Sequence, residues 1–330
     1  MNAGHNHGDG KRVAGLAADT PTWRAARKAL KARLESAAAT LAPAANWGAD
    51  PEPVHGLRVT TRRAGAALDA FADLLPGKAY RKARKALKGL RRAAGAARDA
   101  DVFLDTLRVW AVHQSPAARP GLHFLLGHAF ARRQTAQVIL ENALAKTPVA
   151  SWADLPRKVH GAHETLGERA GPVVSGLLRD LELAARGNLD DYEQLHRVRI
   201  AGKRLRYALE LFIDCFPAAA REQVYPHVEA LQDILGLAND SYQAGVRLDA
   251  LTDTVRTTHP GLWELTRTGL EELRAYHQRR LKEQRAAFAE WWRLWDLLRP
   301  AEALGLARSM ASSGPAEPVA SPPGEPAVRS

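Results

Sequence analysis

The sequence is poor in cysteine, in aromatic residues and in long apolar runs. A single cysteine, Cys215, stands in 330 residues, so the chain cannot form an internal disulfide, and a reducing compartment fits. No uninterrupted apolar stretch approaches the roughly 18 to 20 residues of a membrane span, and the first residues lack the apolar segment of a secretory signal. We therefore expect a soluble, cytoplasmic protein that does not enter the membrane.

Basic residues outnumber acidic ones. Lys and Arg total 47 against 36 Asp and Glu, which gives a formal net charge of +11 and an isoelectric point near 10.0. Such a balance predicts a polyanion or an anionic surface as the partner. Charge alone does not choose among nucleic acid, lipid and polyphosphate.

One basic motif occurs twice, about 141 residues apart. Residues 55–63 read HGLRVTTRR, residues 196–204 read HRVRIAGKR, and further pairs such as Phe71 with Phe212 keep the spacing. Roughly a quarter of the aligned positions are identical, which is typical of a duplicated unit. The repeat predicts two helical bundles, residues 20–150 and 151–300. The flanking segments 1–19 and 301–330 are rich in Gly, Ala, Pro and Ser, and we expect them to be disordered.

Apolar residues recur every three or four positions in both halves, and no run of alternating β-branched residues indicates a strand. Asp50 and Asp191 are good helix caps, and a kink or short break is expected at Gly95 and Gly236. The fold class is therefore all-α, with two four-helix bundles related by a pseudo-twofold axis through an internal duplication. The predicted helices are 21–43, 53–75, 77–113 and 120–146, then 155–186, 192–216, 218–257 and 260–298.

The second helix of each half carries a basic stripe beside its apolar seam, where side chains are partly shielded. In the first half this stripe is His55, Arg58 and Arg62, and Gly65 follows where the second half has a cation. The copies are therefore unequal. In the second half the stripe is His196, Arg199, Lys203 and Arg206.

The third helix of the first half carries a nearly pure cationic face. Its members advance by three or four residues, so each has only like charges as neighbours, and the face repels itself unless an anion lies across it. The members of this face are Lys78, Arg81, Lys85, Lys88 and Arg92.

The residues around these cations favour a repeating phosphate over a base-bearing polymer. Proteins that bind single-stranded nucleic acid interleave aromatic side chains with their cations, and only Tyr80 and Tyr207 lie close to these motifs. His55 and His196 fit two readings equally well: a hydrogen-bond donor to phosphate, or a neutral structural histidine. Asp99 and Asp240 are expected to cap a helix or pair with an arginine.

The two motifs, with GAARDADV at 95–102 and LQDILGLAND at 231–240, resemble the conserved histidine α-helical domain (CHAD) family over nearly the whole chain between the tails. This resemblance implies two pseudo-symmetric bundles and a cationic pore or groove that binds inorganic polyphosphate, often at polyphosphate granules. Asn239 replaces the Arg seen at position 98, so the halves are expected to contribute unequally. By match to the motifs, the resemblance points to His55, Arg58, Arg62, Arg63, Lys88, Arg98, His196, Arg199, Lys203, Arg204 and Arg206.

We therefore expect a non-enzymatic polyphosphate-binding protein that needs no cofactor and no metal. One alternative is a phosphohydrolase or phosphotransferase that uses a histidine. The repeat supplies neither the clustered carboxylates that hold Mg²⁺ nor a base beside a nucleophile. A second alternative is a general, non-specific nucleic-acid binder. The sequence leaves the oligomeric state open.

Overall fold

The chain is all-α. The computed structural model describes residues 10–306 except 47, 49 and 162, and this part contains no β-strand. None of its helices is both long and apolar enough to cross a lipid bilayer. In chain order the α-helices are α1 (Thr22–Ala39), α2 (Leu41–Ala45), α3 (Glu52–Ala70), α4 (Gly77–Trp110), α5 (Arg119–Ala145), α6 (Val149–Ala153), α7 (Leu166–Ala185), α8 (Tyr192–Phe212), α9 (Tyr225–Thr258), α10 (Pro260–Leu298) and α11 (Pro300–Ala303).

Helix starts follow local capping chemistry. The Asp191 side chain accepts a hydrogen bond from the Glu193 backbone N–H and so caps α8, and Asp50 accepts in the same way from Glu52 at the start of α3. Thr165 forms a complete capping box with Glu168 at the start of α7. The helix predicted over 155–186 is therefore too long, because residues 155–158 form a separate 3₁₀ turn and Thr165 caps the true start.

Other predicted bounds differ in smaller ways. Helix α10 matches its predicted span, whereas α3 and α8 end early, because 3₁₀ turns replace their predicted final turns at 72–74 and 213–215. A π-helical turn at 220–224 precedes α9, and the short α2 and α6 were not predicted. Helices α4 and α9 run unbroken through Gly95 and Gly236, so the short break considered at these glycines is absent.

The largest apolar cluster draws on both halves of the sequence. It joins residues such as Leu30 of α1 and Leu68 of α3 to Val174 of α7 and Trp295 of α10, all 2% exposed or less. Phe71 and Phe212, two positions paired by the repeat, meet inside it edge to face, with ring centroids 6.2 Å apart. The duplication and the division at residue 150 remain predictions from the sequence.

Two long helix pairs project from this core: α4 packs on α5, and α9 packs on α10. The pairs meet where α5 crosses α10. A Cβ atom at Gly121 would lie 2.7 Å from the Cα of Gly269, so the two backbones touch and only glycine fits at the crossing. This contact fixes the distance between the two helix pairs.

Part of each predicted tail is packed against the helices. Leu16 and Leu304 are each 1% exposed, and the Arg33 guanidinium donates to the carbonyl oxygens of Gly10 and Lys11, both at 2.7 Å. The expectation of disorder over 1–19 and 301–330 is thus wrong for residues 10–19 and 301–306, because apolar side chains and one buried arginine hold them. Residues 1–9 and 307–330 lie outside the described residues.

Candidate functional site: a cationic groove

The two basic stripes come together where α3 contacts α8. The charge of Arg62 on α3 lowers the pKa of Arg199 and of Lys203 on α8, and the charge of Arg58 also lowers the pKa of Lys203. Charges act on one another so strongly only at short range in a partly shielded site. Residues far apart in the sequence therefore form one cationic cluster, with α3 supplying one wall and α8 the other.

This cluster opens into a groove of about 830 Å³ between α3, α4, α7 and α8. Two carboxylates, Asp69 and Asp180, and the phenol ring of Tyr207 complete its polar lining. Cations predominate among its charged residues, so the groove presents a concave surface suited to an extended anion. Its cations are Arg62, Arg84, Arg91, Arg199, Lys203 and Arg204.

Burial disfavours the charges of the innermost groups. Desolvation, followed by the charge of Arg62, lowers the pKa of Arg58 to about 10 and that of Lys203 to about 6. Desolvation also lowers the pKa of Arg199, whose Nε atom is buried and has no hydrogen-bond acceptor among the described residues. The protein thus holds these groups at a cost to its own stability, a pattern typical of binding sites.

Within the described residues, six cations of the cluster, four of which line the groove, have no carboxylate within the 4.0 Å of an ion pair. Asp99 raises the pKa of Arg58 and Asp240 raises that of Arg199, but both carboxylates act from beyond that distance. Asp99 lies well inside α4 and Asp240 well inside α9. Neither therefore caps a helix, which was one of the two roles expected of them. The six unpaired cations are Arg58, Arg62, Arg91, Arg98, Arg199 and Lys203.

Other predicted cations are neutralised by the protein. Arg63 Nε donates to Glu210 Oε2 at 2.7 Å, and Arg206 donates to Glu210 at 3.3 Å and to Glu229 at 2.8 Å. Glu210 is 3% exposed and also accepts from Tyr225, so these groups form a buried network. Arg63 and Arg206, which the sequence placed in the binding set, are therefore paired within the fold.

At the groove rim, cations and carboxylates alternate. Arg204 donates to Asp180 at 3.1 Å, and Arg84 forms two hydrogen bonds to Asp69, at 2.6 and 2.7 Å. Arg84 Nη1 lies 3.4 Å from the place a Cβ would take at Gly65. Helix α4 thus places the Arg84 guanidinium beside position 65, where the first half lacks a cation. This guanidinium is already paired with Asp69.

The cationic face of α4 points away from the groove. Its five members are exposed and none lines the cavity, so the structure does not bring this predicted set to the groove. Arg84 and Arg91, which the sequence analysis did not single out, line the groove and stand seven residues apart, and Arg98 follows after seven more. Such spacing places all three on one side of the helix, about 80° from its apolar seam, whereas the exposed face lies about 180° from that seam. The five exposed residues are Lys78, Arg81, Lys85, Lys88 and Arg92.

The two motif histidines are half-buried beside the cluster. Burial and the charge of Arg98 lower the pKa of His55, which favours a neutral ring. His196 tilts against the ring of Tyr192, with centroids 6.0 Å apart, and its Nδ1 atom is buried without a partner among the described residues. Both rings can donate or accept a hydrogen bond at the edge of the cluster.

Comparison with known proteins identifies the family and the fold. A family model described as the CHAD domain matches residues 24–249. A crystal structure of the CHAD domain from the plant Ricinus communis is similar over 91% of this chain and 96% of that one, with 26% identity and a TM-score of 0.63. PptA from Streptomyces chartreusis shares the fold at 17% identity and a TM-score of 0.65, over 83% of this chain and 100% of that one. No curated protein matches the sequence. The chain belongs to the CHAD domain family.

Proposed function

We propose that the groove binds inorganic polyphosphate without chemically altering it. The observation that carries the proposal is the set of shielded cations, brought together from α3, α4 and α8, that lack carboxylate partners in the described structure. The CHAD family is associated with polyphosphate, which fits this ligand. We further propose that the protein works in the cytoplasm at polyphosphate granules.

The clustered cations repel one another in the free protein, and an anion in the groove relieves this repulsion. The charge of Arg62 lowers the pKa of Arg58, Arg199 and Lys203, so a phosphate placed among these groups gains attraction to several charges at once. Arginine forks suit phosphate oxygens, and a chain of phosphates repeats the same charge along the groove. Binding releases counterions, so affinity should fall steeply with salt.

The test is a titration with long-chain polyphosphate of the double variant Arg58→Glu with Arg199→Glu. We expect loss of about 100-fold or more in affinity, with helicity unchanged, because each glutamate brings a negative charge into the cluster and pairs with the remaining cations. The matched control is Lys85→Glu with Lys88→Glu on the exposed face of α4, which changes the net charge equally. Wild-type affinity in the groove variant would overturn the assignment.

Two further measurements separate this proposal from its alternatives. Phosphate release from polyphosphate, with and without divalent metal, tests for an enzyme, and a steady release that disappears on His55→Ala or His196→Ala would replace binding with catalysis. Competition tests for a nucleic-acid binder. If duplex DNA displaces polyphosphate at equal charge concentration, specific recognition of polyphosphate is wrong.

A further inference from the structure

A second cavity of about 520 Å³ lies between α4, α5 and α9. Its walls are mostly apolar, with alanines on both α4 and α5 and with Phe103, Leu248 and Leu251 at one side. Facing alanines leave a narrow slot between two helices, whereas six cations line the groove. The volume falls within the roughly 300–1,000 Å³ typical of small-molecule sites.

Two arginines give this slot an anion-binding end. Arg132 is exposed on α5, and Arg247 on α9 is half-buried, with a buried Nε atom that has no acceptor among the described residues. Burial lowers the pKa of Arg247, and its guanidinium lies 6.0 Å from the centre of the Phe103 ring. A buried donor without an acceptor is costly, and an anion beside it removes that cost.

The remaining polar groups suit a ring with polar edges. The Asp99 carboxylate lines the slot and can accept from a hydroxyl or an amino group, and His128 lines it from α5. An acyl chain would gain nothing from these groups. A flat heterocycle with a sugar and a phosphate uses the apolar walls, the carboxylate and the arginines together.

We propose that this second cavity binds a nucleoside phosphate, with the base in the alanine-lined slot and the phosphates at Arg132 and Arg247. The site is separate from the polyphosphate groove and does not depend on the function proposed for it. Asp99 links the two electrostatically, because its charge raises the pKa of both Arg247 and Arg58.

The test is calorimetric titration of the whole chain carrying Arg62→Ala with Arg199→Ala, which removes the groove as a second phosphate site, with ADP and with pyrophosphate, the matched ligand that lacks the nucleoside. We expect ADP to bind about tenfold more tightly than pyrophosphate, because only ADP fills the slot. Arg132→Ala and Ala100→Phe should each weaken ADP about tenfold. Arg119→Ala, an exposed arginine of the same helix outside the cavity, should leave ADP binding unchanged.

The groove serves as a second control. Arg62→Ala with Arg199→Ala should weaken polyphosphate and leave ADP binding within about twofold of wild type at physiological salt. Ala100→Phe should do the reverse, and its thermal unfolding reports whether it folds. The proposal is overturned if ADP does not bind, if pyrophosphate binds as tightly as ADP, or if ADP binding is lost with the groove variant and survives Ala100→Phe and Arg132→Ala.

Discussion

Arg58 Nη1 lies 2.7 Å from the place that a Cβ atom would take at Gly95, so the glycine of α4 makes room for the arginine of α3. Both residues belong to the repeated motifs. The glycine does not break its helix, and its role is to let a shielded cation reach the cluster.

Gly95→Ala should therefore weaken polyphosphate binding while improving the helix. The added methyl group displaces the Arg58 guanidinium, and we expect about a three- to tenfold loss of affinity. Alanine also favours the helix by roughly 1 kcal/mol, so the thermal midpoint should stay level or rise. Polyphosphate titration and thermal unfolding of the same sample check both expectations.

Gly89→Ala is the matched control. Gly89 lies in the same helix, and a Cβ atom placed there would have nothing within 4 Å. This change therefore stabilises the helix without displacing Arg58. Equal binding losses at positions 89 and 95 would show that the displaced Arg58 is not the cause.

Binding of polyphosphate should also take up a proton through Lys203. The pKa of this lysine is lowered to about 6 by burial and by the charges of Arg62, Arg199 and Arg58, so its amine is mostly neutral at pH 7. Phosphates in the groove raise that pKa, and about one proton should be taken up per site. Calorimetry in buffers of different ionisation enthalpy measures the uptake directly, and Lys203→Met should abolish it.

The same lysine gives stability a definite pH dependence. Its folded pKa lies below the ordinary value of 10.5, so the unfolded chain binds more protons between about pH 6 and that value. The contribution of Lys203 to the free energy of unfolding therefore rises with pH across this window. Lys203→Met should be more stable than wild type at pH 7 by about 1–2 kcal/mol. A destabilised Lys203→Met would contradict the assignment of a strained, functional lysine.

Glu210→Gln should separate folding from binding. This carboxylate is 3% exposed and holds Arg63, Arg206 and Tyr225, so its loss leaves buried cations unpaired and should cost about 3 kcal/mol. Polyphosphate affinity of the folded variant should change by less than about threefold, because none of these partners lines the groove. Denaturant unfolding measures the loss of stability, and titration with polyphosphate measures the affinity.

Asp180→Asn provides the comparison for that variant. Its ion pair with Arg204 lies at the exposed rim, where both side chains are more than half accessible, so stability should change by less than about 0.5 kcal/mol. A large loss of polyphosphate affinity in Glu210→Gln would contradict the separation of folding from binding, and would show that Arg63 or Arg206 contributes to the site.

Amphipathic periodicity predicts an apolar seam on α3 and on α8, and the structure places Arg62, Arg199 and Lys203, which lie beside those seams, on the groove wall. On α4 the sequence predicts a cationic face of five residues, which the structure places outside the groove, whereas Arg84 and Arg91 line it. Both arginines lie beside the apolar seam of α4, so the rule used on α3 also selects them. Pairing could not be predicted at all: the partner of Arg63 is Glu210, 147 residues away, and only the packing of α3 on α8 brings them together.

The central claim is that polyphosphate recognises the shielded cations of the groove and not the net charge of the protein. The most direct test compares two double variants that each remove two positive charges: Arg62→Ala with Arg199→Ala, and Lys85→Ala with Lys88→Ala. Titration with long-chain polyphosphate at physiological salt should show about a 100-fold loss for the groove pair and less than about threefold for the exposed pair. Equal losses for the two pairs would contradict the account.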